Sequence, residues 1–235
     1  SIAVSIKVSQ ARGAKSPEKA REASQHGFFL SLLIGAATFL LSLALIPLLP
    51  YLQQDPEVVE RMPEFFLLVS ASMTAAMISM TSRSQADAMA HPWPAFWIIL
   101  AGVLLNVFLN WLLIGGEWGA PEMGLEGAGL ATLLARVASV IGLLWWLRRS
   151  PLMRDWIPTH WFRWPEMSKL KQFWGIAWPA GLQVSAEMSA FIAASSVIGS
   201  LAAAALAAHQ VAITCGAPIF LVPLPLPLST PTTPV

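Results

Sequence analysis

Residues 175–200 read GIAWPAGLQVSAEMSAFIAASSVIGS, and Glu187 is the only charged residue among these 26. A helix of this length is about 39 Å long, enough to cross the hydrocarbon core of a bilayer, with Glu187 close to its midpoint. A carboxylate at that depth costs about 3 kcal/mol, so it normally faces a polar cavity or a partner. Membrane proteins that keep such an acid generally use it to bind a cation or a proton. The segment therefore indicates a membrane-spanning helix with a role in transport.

The composition of the whole chain agrees with this interpretation. Of 235 residues, 56% are hydrophobic and 11% are charged, and the mean hydropathy is +0.62. Soluble domains carry roughly 25% charged residues, so the chain is predicted to be an all-α polytopic membrane protein. The single cysteine excludes an intramolecular disulfide framework. The net charge of +1 gives no indication of nucleic-acid binding.

Apolar stretches predict about six spans and a helix stub at the N-terminus. Five stretches are long enough, or nearly so, to cross: residues 27–49, 65–81, 95–114, 127–147 and 175–200, with an alanine-rich sixth at 201–224. Strict alternation of these spans places 12 of the 14 basic residues on one side. The positive-inside rule makes that side the cytoplasm, so a multi-pass protein of the inner membrane is expected.

The connecting segments divide the chain into predicted parts. Residues 148–174 are rich in arginine and tryptophan and predict an amphipathic linker lying on the cytoplasmic face. Residues 1–147 would form part of a first helical lobe, residues 175–224 would give two spans of a second lobe, and residues 225–235 form a proline-rich tail. Tryptophans near the predicted span ends fit an interfacial aromatic belt: Trp93, Trp97, Trp145, Trp146, Trp174 and Trp178.

Polar residues inside the spans are the candidates for a binding site. Asn106 and Asn110 are four residues apart and share a helix face. Their amides could coordinate a cation or a proton-linked partner, or they could hydrogen-bond neighbouring helices as packing contacts. Gln183 precedes Glu187 by four residues, so it would widen a polar site around this acid.

Arg136 and Thr132 lie one helical turn apart in the predicted span 127–147. Arg136 is the only cation within a predicted span, so an ion pair with Glu187 is an alternative role for both residues. Thr132 is of a type that often satisfies a backbone carbonyl. The sequence contains no GxSxG, Walker or HExxH motif, so it gives no indication of an enzyme or of a bound cofactor.

Five short motifs, in order, resemble the MATE (multidrug and toxic compound extrusion) family. They are VSQARGA at 8–14, LNVFLNWLLI at 105–114, GAGLAT at 127–132, PAGL at 179–182 followed by Glu187, and LAAHQVA at 206–212. These motifs resemble the end of the second span, the fifth span, the opening of the sixth, the seventh and the approach to the eighth. The resemblance covers residues 1 to about 224.

The resemblance implies a bundle of two six-helix lobes, of which this chain holds part. It implies export of small cationic or amphipathic compounds in exchange for sodium ions or protons. Glu187 stands where the family has an acid that serves the coupling ion, sodium included, or the substrate. Asn106 and Asn110 match a cation or proton site of the first lobe, with Thr132 nearby, and Gln210 matches a residue that can line the central cleft.

The departures from the family pattern leave alternatives open. The family's first span and most of the second are absent from the sequence, and alternating prolines replace the expected continuation after Leu224. A fragment with a frameshifted tail is therefore expected, which makes a non-functional truncated membrane protein one alternative. The other alternative is a flippase of related architecture for lipid-linked substrates. The bilayer and small organic cations are the expected partners.

Overall fold

The computed structural model of this chain describes residues 2–47, 56–161 and 167–201, and regular structure within them is helical. The helices are α1 (Ile2–Gly13), α2 (Pro17–Leu45), α3 (Pro56–Ala88), α4 (Pro92–Ile114), α5 (Gly124–Arg149) and α6 (Met167–Leu201). A short 3₁₀ turn at Glu117–Gly119 lies between α4 and α5. The predicted all-α class is confirmed.

The helices extend beyond the apolar stretches that predict them. α2 begins at Pro17, ten residues before the predicted span, because Ser16 is extended and the proline ring at the first position is already set for a helix. α5 ends on Arg148 and Arg149, whose charges suit the negative end of the helix dipole. Hydropathy marks only the part of a helix that lies in hydrocarbon, which explains why the predicted spans are short.

Within the described residues, four helices are long and apolar enough to cross a membrane: Pro17–Leu45, Met62–Ala88, Pro92–Ile114 and Gly124–Arg149. These correspond to the first four long spans predicted from the sequence. Large apolar side chains on their outer faces are exposed, including Trp93 (68%), Trp97 (59%) and Trp145 (63%). Exposure at the ends of helices fits the predicted belt, since tryptophan favours the boundary between lipid and water.

α3 is the centre of the packing. It contacts α5 and α2 extensively and α1 and α4 less, while α4 packs mainly on α5. Small residues permit these close approaches: a Cβ on Gly35 of α2 would lie 2.7 Å from Cα of Thr74 in α3, and one on Gly127 of α5 would lie 2.7 Å from the carbonyl oxygen of Leu113. Membrane helices associate through such small residues because lipid provides no hydrophobic force between them.

The tightest apolar cluster lies at one end of the bundle, where α1, α3 and α5 end and α2 and α4 begin. Val8, Ala20, Leu143 and Leu147 are fully buried there. The basic ends of α1, α2 and α5 therefore gather at this same end, as the alternation of the predicted spans requires. We call it the basic end of the bundle.

Residues 150–161, the capping segment, close the basic end. Met153, Ile157 and Trp161 are buried in the apolar cluster, and the Trp161 ring lies 5.6 Å from that of Phe28 in α2. In the described part of the predicted linker, these three apolar side chains therefore pack on protein. Its position on the cytoplasmic face stays a prediction.

The chain divides into two compact units, Ser1–Ala177 and Trp178–Val235. The first contains α1 to α5, the capping segment and the start of α6. The described part of the second is the remainder of α6, up to Leu201. The predicted lobe and linker boundaries stay predictions, and the predicted span 201–224 and tail 225–235 lie outside the described residues.

Candidate functional site

A cavity of about 520 Å³ opens between α3, α4 and α5 in the first unit. Each helix contributes one face at three- and four-residue spacing. The lining residues are Ala76, Ser79, Met80, Arg83, Ser84 and Asp87 of α3, Ile99, Gly102, Val103 and Asn106 of α4, and Thr132, Ala135, Arg136 and Ser139 of α5. The cavity therefore brings two of the predicted site residues, Asn106 and Thr132, to one place.

Asn106, Asn110 and Thr132 form a hydrogen-bonded chain between α4 and α5. The Asn110 Nδ2 donates to Asn106 Oδ1 at 3.1 Å, and the Asn106 Nδ2 donates to Thr132 Oγ1 at 3.5 Å. The Thr132 hydroxyl in turn donates to the Ala128 carbonyl at 2.9 Å, as its residue type suggests. Asn106 thus makes an interhelical contact and also lines the cavity, while Asn110 bonds to Asn106 on the same helix. The cation-site role and the packing role of the pair both stay predictions.

Arg136 extends from α5 towards α3 across the same cavity. Its Nη1 donates to Ser72 Oγ at 2.8 Å and lies 3.7 Å from the Met73 sulfur. Arg136 is the thirteenth of the 26 residues of α5, so its charge lies near the middle of a candidate span. Within the described residues these are the polar contacts of its guanidinium, and no carboxylate is among them.

An exposed ion pair lies at the edge of the cavity near the end of α3. The Arg83 Nε is 3.7 Å from Asp87 Oδ2, and the two side chains are 54% and 42% exposed. An exposed pair with this spacing on one helix adds only about 0.3–0.5 kcal/mol to stability. Together with Arg136, the three charges leave the lining with one net positive charge.

Two buried oxygen atoms near the cavity have no hydrogen-bond partner within the described part of the protein: Ser79 Oγ and Asn110 Oδ1. Buried polar atoms without partners are costly and generally bind water or an ion. Amide and hydroxyl oxygens are ligands that suit hard cations such as sodium and magnesium. The arrangement can therefore hold water or a small cation, although its neutral oxygens alone would bind a cation weakly.

The remaining predicted site residues lie apart from this cavity in the sequence. Glu187 falls within α6, and Gln183 on the same helix is exposed. Both belong to the second compact unit, so the ion pair of Arg136 with Glu187 stays a prediction. Gln210 lies outside the described residues.

The sequence reasoning missed the residues of α3 that line the cavity or bind Arg136. Ser72, Ser79 and Arg83 follow one another at spacings of seven and four residues, which places them on one face of α3. Serines within an apolar stretch are weak indicators of a binding site, because they so often hydrogen-bond to a carbonyl of their own helix. Their repeated spacing was the available signal, since it continues from Ser72 to the charged end of the helix.

Long apolar helices packed through small residues, with a cavity between three of them that charged and polar residues help to line, define a multi-pass α-helical membrane protein. Residues 1–112 match the MatE family model. The chain is 31% identical over 222 residues to a probable multidrug resistance protein NorM of Burkholderia mallei, covering 94% of this chain and 47% of that protein. It is 27% identical over 231 residues to the multidrug resistance protein PmpM of Pseudomonas aeruginosa, covering 96% and 47%.

A solved structure has the same fold, with a TM-score of 0.64 and 22% identity over 75% of this chain and 39% of that one. That structure is described as the inward-facing conformation of a multidrug resistance MATE family transporter of the MOP superfamily. The family model, these relatives and this structure confirm the resemblance to the MATE family that the motifs predict. It spans about half the length of the curated relatives it matches.

Proposed function

We propose that this chain is part of an antiporter that exports small cationic or amphipathic compounds in exchange for sodium ions or protons. The observation that carries the proposal is the Asn106–Asn110–Thr132 chain beside the cavity between α3, α4 and α5. It occurs in a chain that is similar over 94% of its length to a probable multidrug resistance protein. Transport is therefore proposed rather than catalysis, and no cofactor is required.

The coupling ion requires a stronger ligand than neutral oxygen atoms. Among the described lining residues, Arg83 and Arg136 outnumber Asp87 and leave one net positive charge, and like charges repel strongly where little water screens them. We therefore assign the coupling role to the carboxylate of Glu187, with Gln183 beside it on α6 and Gln210 lining the cleft. The asparagines would provide a second, weaker site for a hydrated ion or proton-linked water.

Competition at Glu187 is sufficient for exchange. A sodium ion or a proton would neutralise the carboxylate and so lower its affinity for a cationic compound, and by linkage the compound would lower the affinity for the ion. Alternating access of the site to the two membrane faces then couples the two flows. The basic end of the bundle would face the cytoplasm of the inner membrane, in accordance with the positive-inside rule.

A second candidate function has one observation in its favour. Two arginines, Arg83 and Arg136, line the cavity together with a single carboxylate, Asp87. Guanidinium groups bind phosphate well, so a flippase for lipid-linked substrates would suit such a lining. The first function is preferred because the relatives are named as multidrug resistance proteins.

A chimera tests the proposed function. The matched part of this chain would replace the corresponding stretch of the Burkholderia mallei relative, and the product would be expressed in bacteria lacking their own efflux pumps. We expect lower accumulation of a cationic dye than in empty cells. Glu187→Gln should abolish this effect, whereas Glu117→Gln, an identical change at an exposed residue outside the helices α4 and α5, should not.

The same cells distinguish the alternatives. Dye exclusion retained in Glu187→Gln would refute the role of the acid, and an inactive chimera with normal membrane levels would contradict the proposal itself. A flippase would instead leave dye accumulation unchanged, and Arg136→Met would disturb the growth of cells that depend on the chimera for lipid-linked transport.

A further inference from the structure

A second cavity, of about 320 Å³, lies at the basic end of the bundle, outside the cavity between α3, α4 and α5. Three arginines border it from three separate elements: Arg21 of α2, Arg148 at the end of α5, and Arg154 of the capping segment. Asp155 also lines it, with Ile157, Pro158 and Thr159. We call this cavity the arginine pocket.

The arginine pocket carries a net positive charge that the described part of the protein does not neutralise. Its three guanidinium groups and one carboxylate leave two positive charges. Arg21 is positioned by the protein, since its Nε donates to the Asp155 carbonyl at 2.9 Å. Within the described residues, Arg148 and Arg154 make no ion pair, so their donors remain available to a ligand.

Exposed apolar residues close in sequence to the pocket arginines favour a position at the boundary between acyl chains and headgroups. Trp145, one turn before Arg148 on α5, is 63% exposed, and Leu152, two residues before Arg154, is 61% exposed. Exposed tryptophan and leucine beside arginines are typical of the boundary between acyl chains and headgroups. A ligand in the pocket would therefore have its charged part among the arginines and its apolar part along Trp145 and Leu152.

We propose that the arginine pocket binds the phosphate of an anionic phospholipid from the leaflet at the basic end of the bundle. Guanidinium groups match phosphate oxygens in pairs, and basic pockets at the cytoplasmic ends of membrane helices are suited to anionic headgroups. The bound phosphate would join α2, α5 and the capping segment through charge, where the apolar cluster already joins them through packing. Its occupancy does not depend on what the chain transports.

The test uses all 235 residues given for this chain, purified in a neutral detergent, with lipid binding followed by native mass spectrometry. Phosphatidylglycerol, phosphatidylcholine and inorganic phosphate are each titrated. We expect one phosphatidylglycerol to bind more tightly than phosphatidylcholine. The double variant Arg148→Gln/Arg154→Gln should weaken it about thirtyfold, since each arginine near the membrane surface contributes about fivefold.

A matched control removes the same charge elsewhere at the same end. Lys19→Gln/Arg149→Gln changes two exposed residues that do not line the pocket, and it should weaken binding much less than the pocket variant does. Arg148→Lys/Arg154→Lys keeps the charge without the paired donors and should give an intermediate affinity. This variant keeps the test decisive if the glutamine variant does not fold.

Three results would overturn the proposal. The first is equal affinity of the original chain for phosphatidylglycerol and phosphatidylcholine. The second is an equal loss in the control variant, which would show that only general surface charge matters. The third is saturation by inorganic phosphate with no competition from phosphatidylglycerol, which would identify a site for free phosphate instead.

Discussion

Replacing Arg136 with methionine should stabilise the fold of this chain. The guanidinium lies near the middle of a candidate span and its hydrogen bond in the described protein is to the Ser72 hydroxyl, at 2.8 Å. An arginine at the centre of a membrane helix costs about 2.5–3.5 kcal/mol. A hydrogen bond from a charged group returns about 1.5–3 kcal/mol. Methionine removes both the cost of the charge and the hydrogen bond, so the difference predicts a gain of about 1 kcal/mol in the free energy of unfolding.

The change Ser72→Ala should have the opposite sign. It leaves the Arg136 charge in place without its hydroxyl acceptor, and we expect a loss of about 1–2 kcal/mol. Ser72 also donates to the Val69 carbonyl, so the single variant alone does not isolate the interhelical bond. In the Arg136→Met background Ser72→Ala should cost much less, which gives a coupling energy of about 1 kcal/mol.

Unfolding by sodium dodecyl sulfate in mixed micelles, followed by tryptophan fluorescence, measures these differences. Ser82→Ala is the matched control, because Ser82 is buried in the same helix and donates to the Ile78 carbonyl of its own helix at 2.9 Å. Its cost should be the same in both backgrounds. Strong destabilisation by Arg136→Met, or a coupling energy near zero, would refute the reasoning.

Three further changes test the packing and the site. Gly35→Ala should destabilise the fold by about 1–3 kcal/mol in thermal unfolding, because the new methyl group would lie 2.7 Å from the backbone of α3. Gly142→Ala is the control and should cost little, because its methyl group meets only a side-chain methyl group, at 3.0 Å. Trp161→Ala should cost about 3 kcal/mol and speed tryptic cleavage of the capping segment; unchanged cleavage would mean that this segment does not need its buried ring. Thr132→Val in the chimera should raise the sodium concentration needed for half-maximal thermal stabilisation about threefold to tenfold. Thr38→Val loses a similar local hydrogen bond outside the cavity and should leave that concentration unchanged.

The sequence predicts the helices well and their ends less well. The length of the apolar stretches is sufficient to identify α2 to α5, because a helix in contact with lipid needs apolar side chains along its whole span. The first turns of α2 are polar and do not contact the acyl chains, so the only sequence signal for them is Pro17 at the start of the helix. The capping segment illustrates a further limit: its pattern shows that one side is apolar, but membrane and protein are equally good partners for that side.

The candidate site could be predicted within a helix but not between helices. The spacing of Asn106 and Asn110 places them on one face, and the structure joins them by a hydrogen bond of 3.1 Å. The partner of Arg136 could not be predicted, because spacing says nothing about which neighbouring helix a long side chain reaches. Ser72 is its partner, 64 residues away in sequence.

Ion-driven dye movement by the purified chimera in proteoliposomes is the most direct test of the proposed antiport. With ethidium on one side, a sodium or proton gradient is imposed, and ethidium flux is followed by fluorescence. The proposal predicts flux that requires one of the two gradients and disappears in Glu187→Gln while persisting in Glu117→Gln. Gradient-driven flux that is undiminished in Glu187→Gln would contradict it.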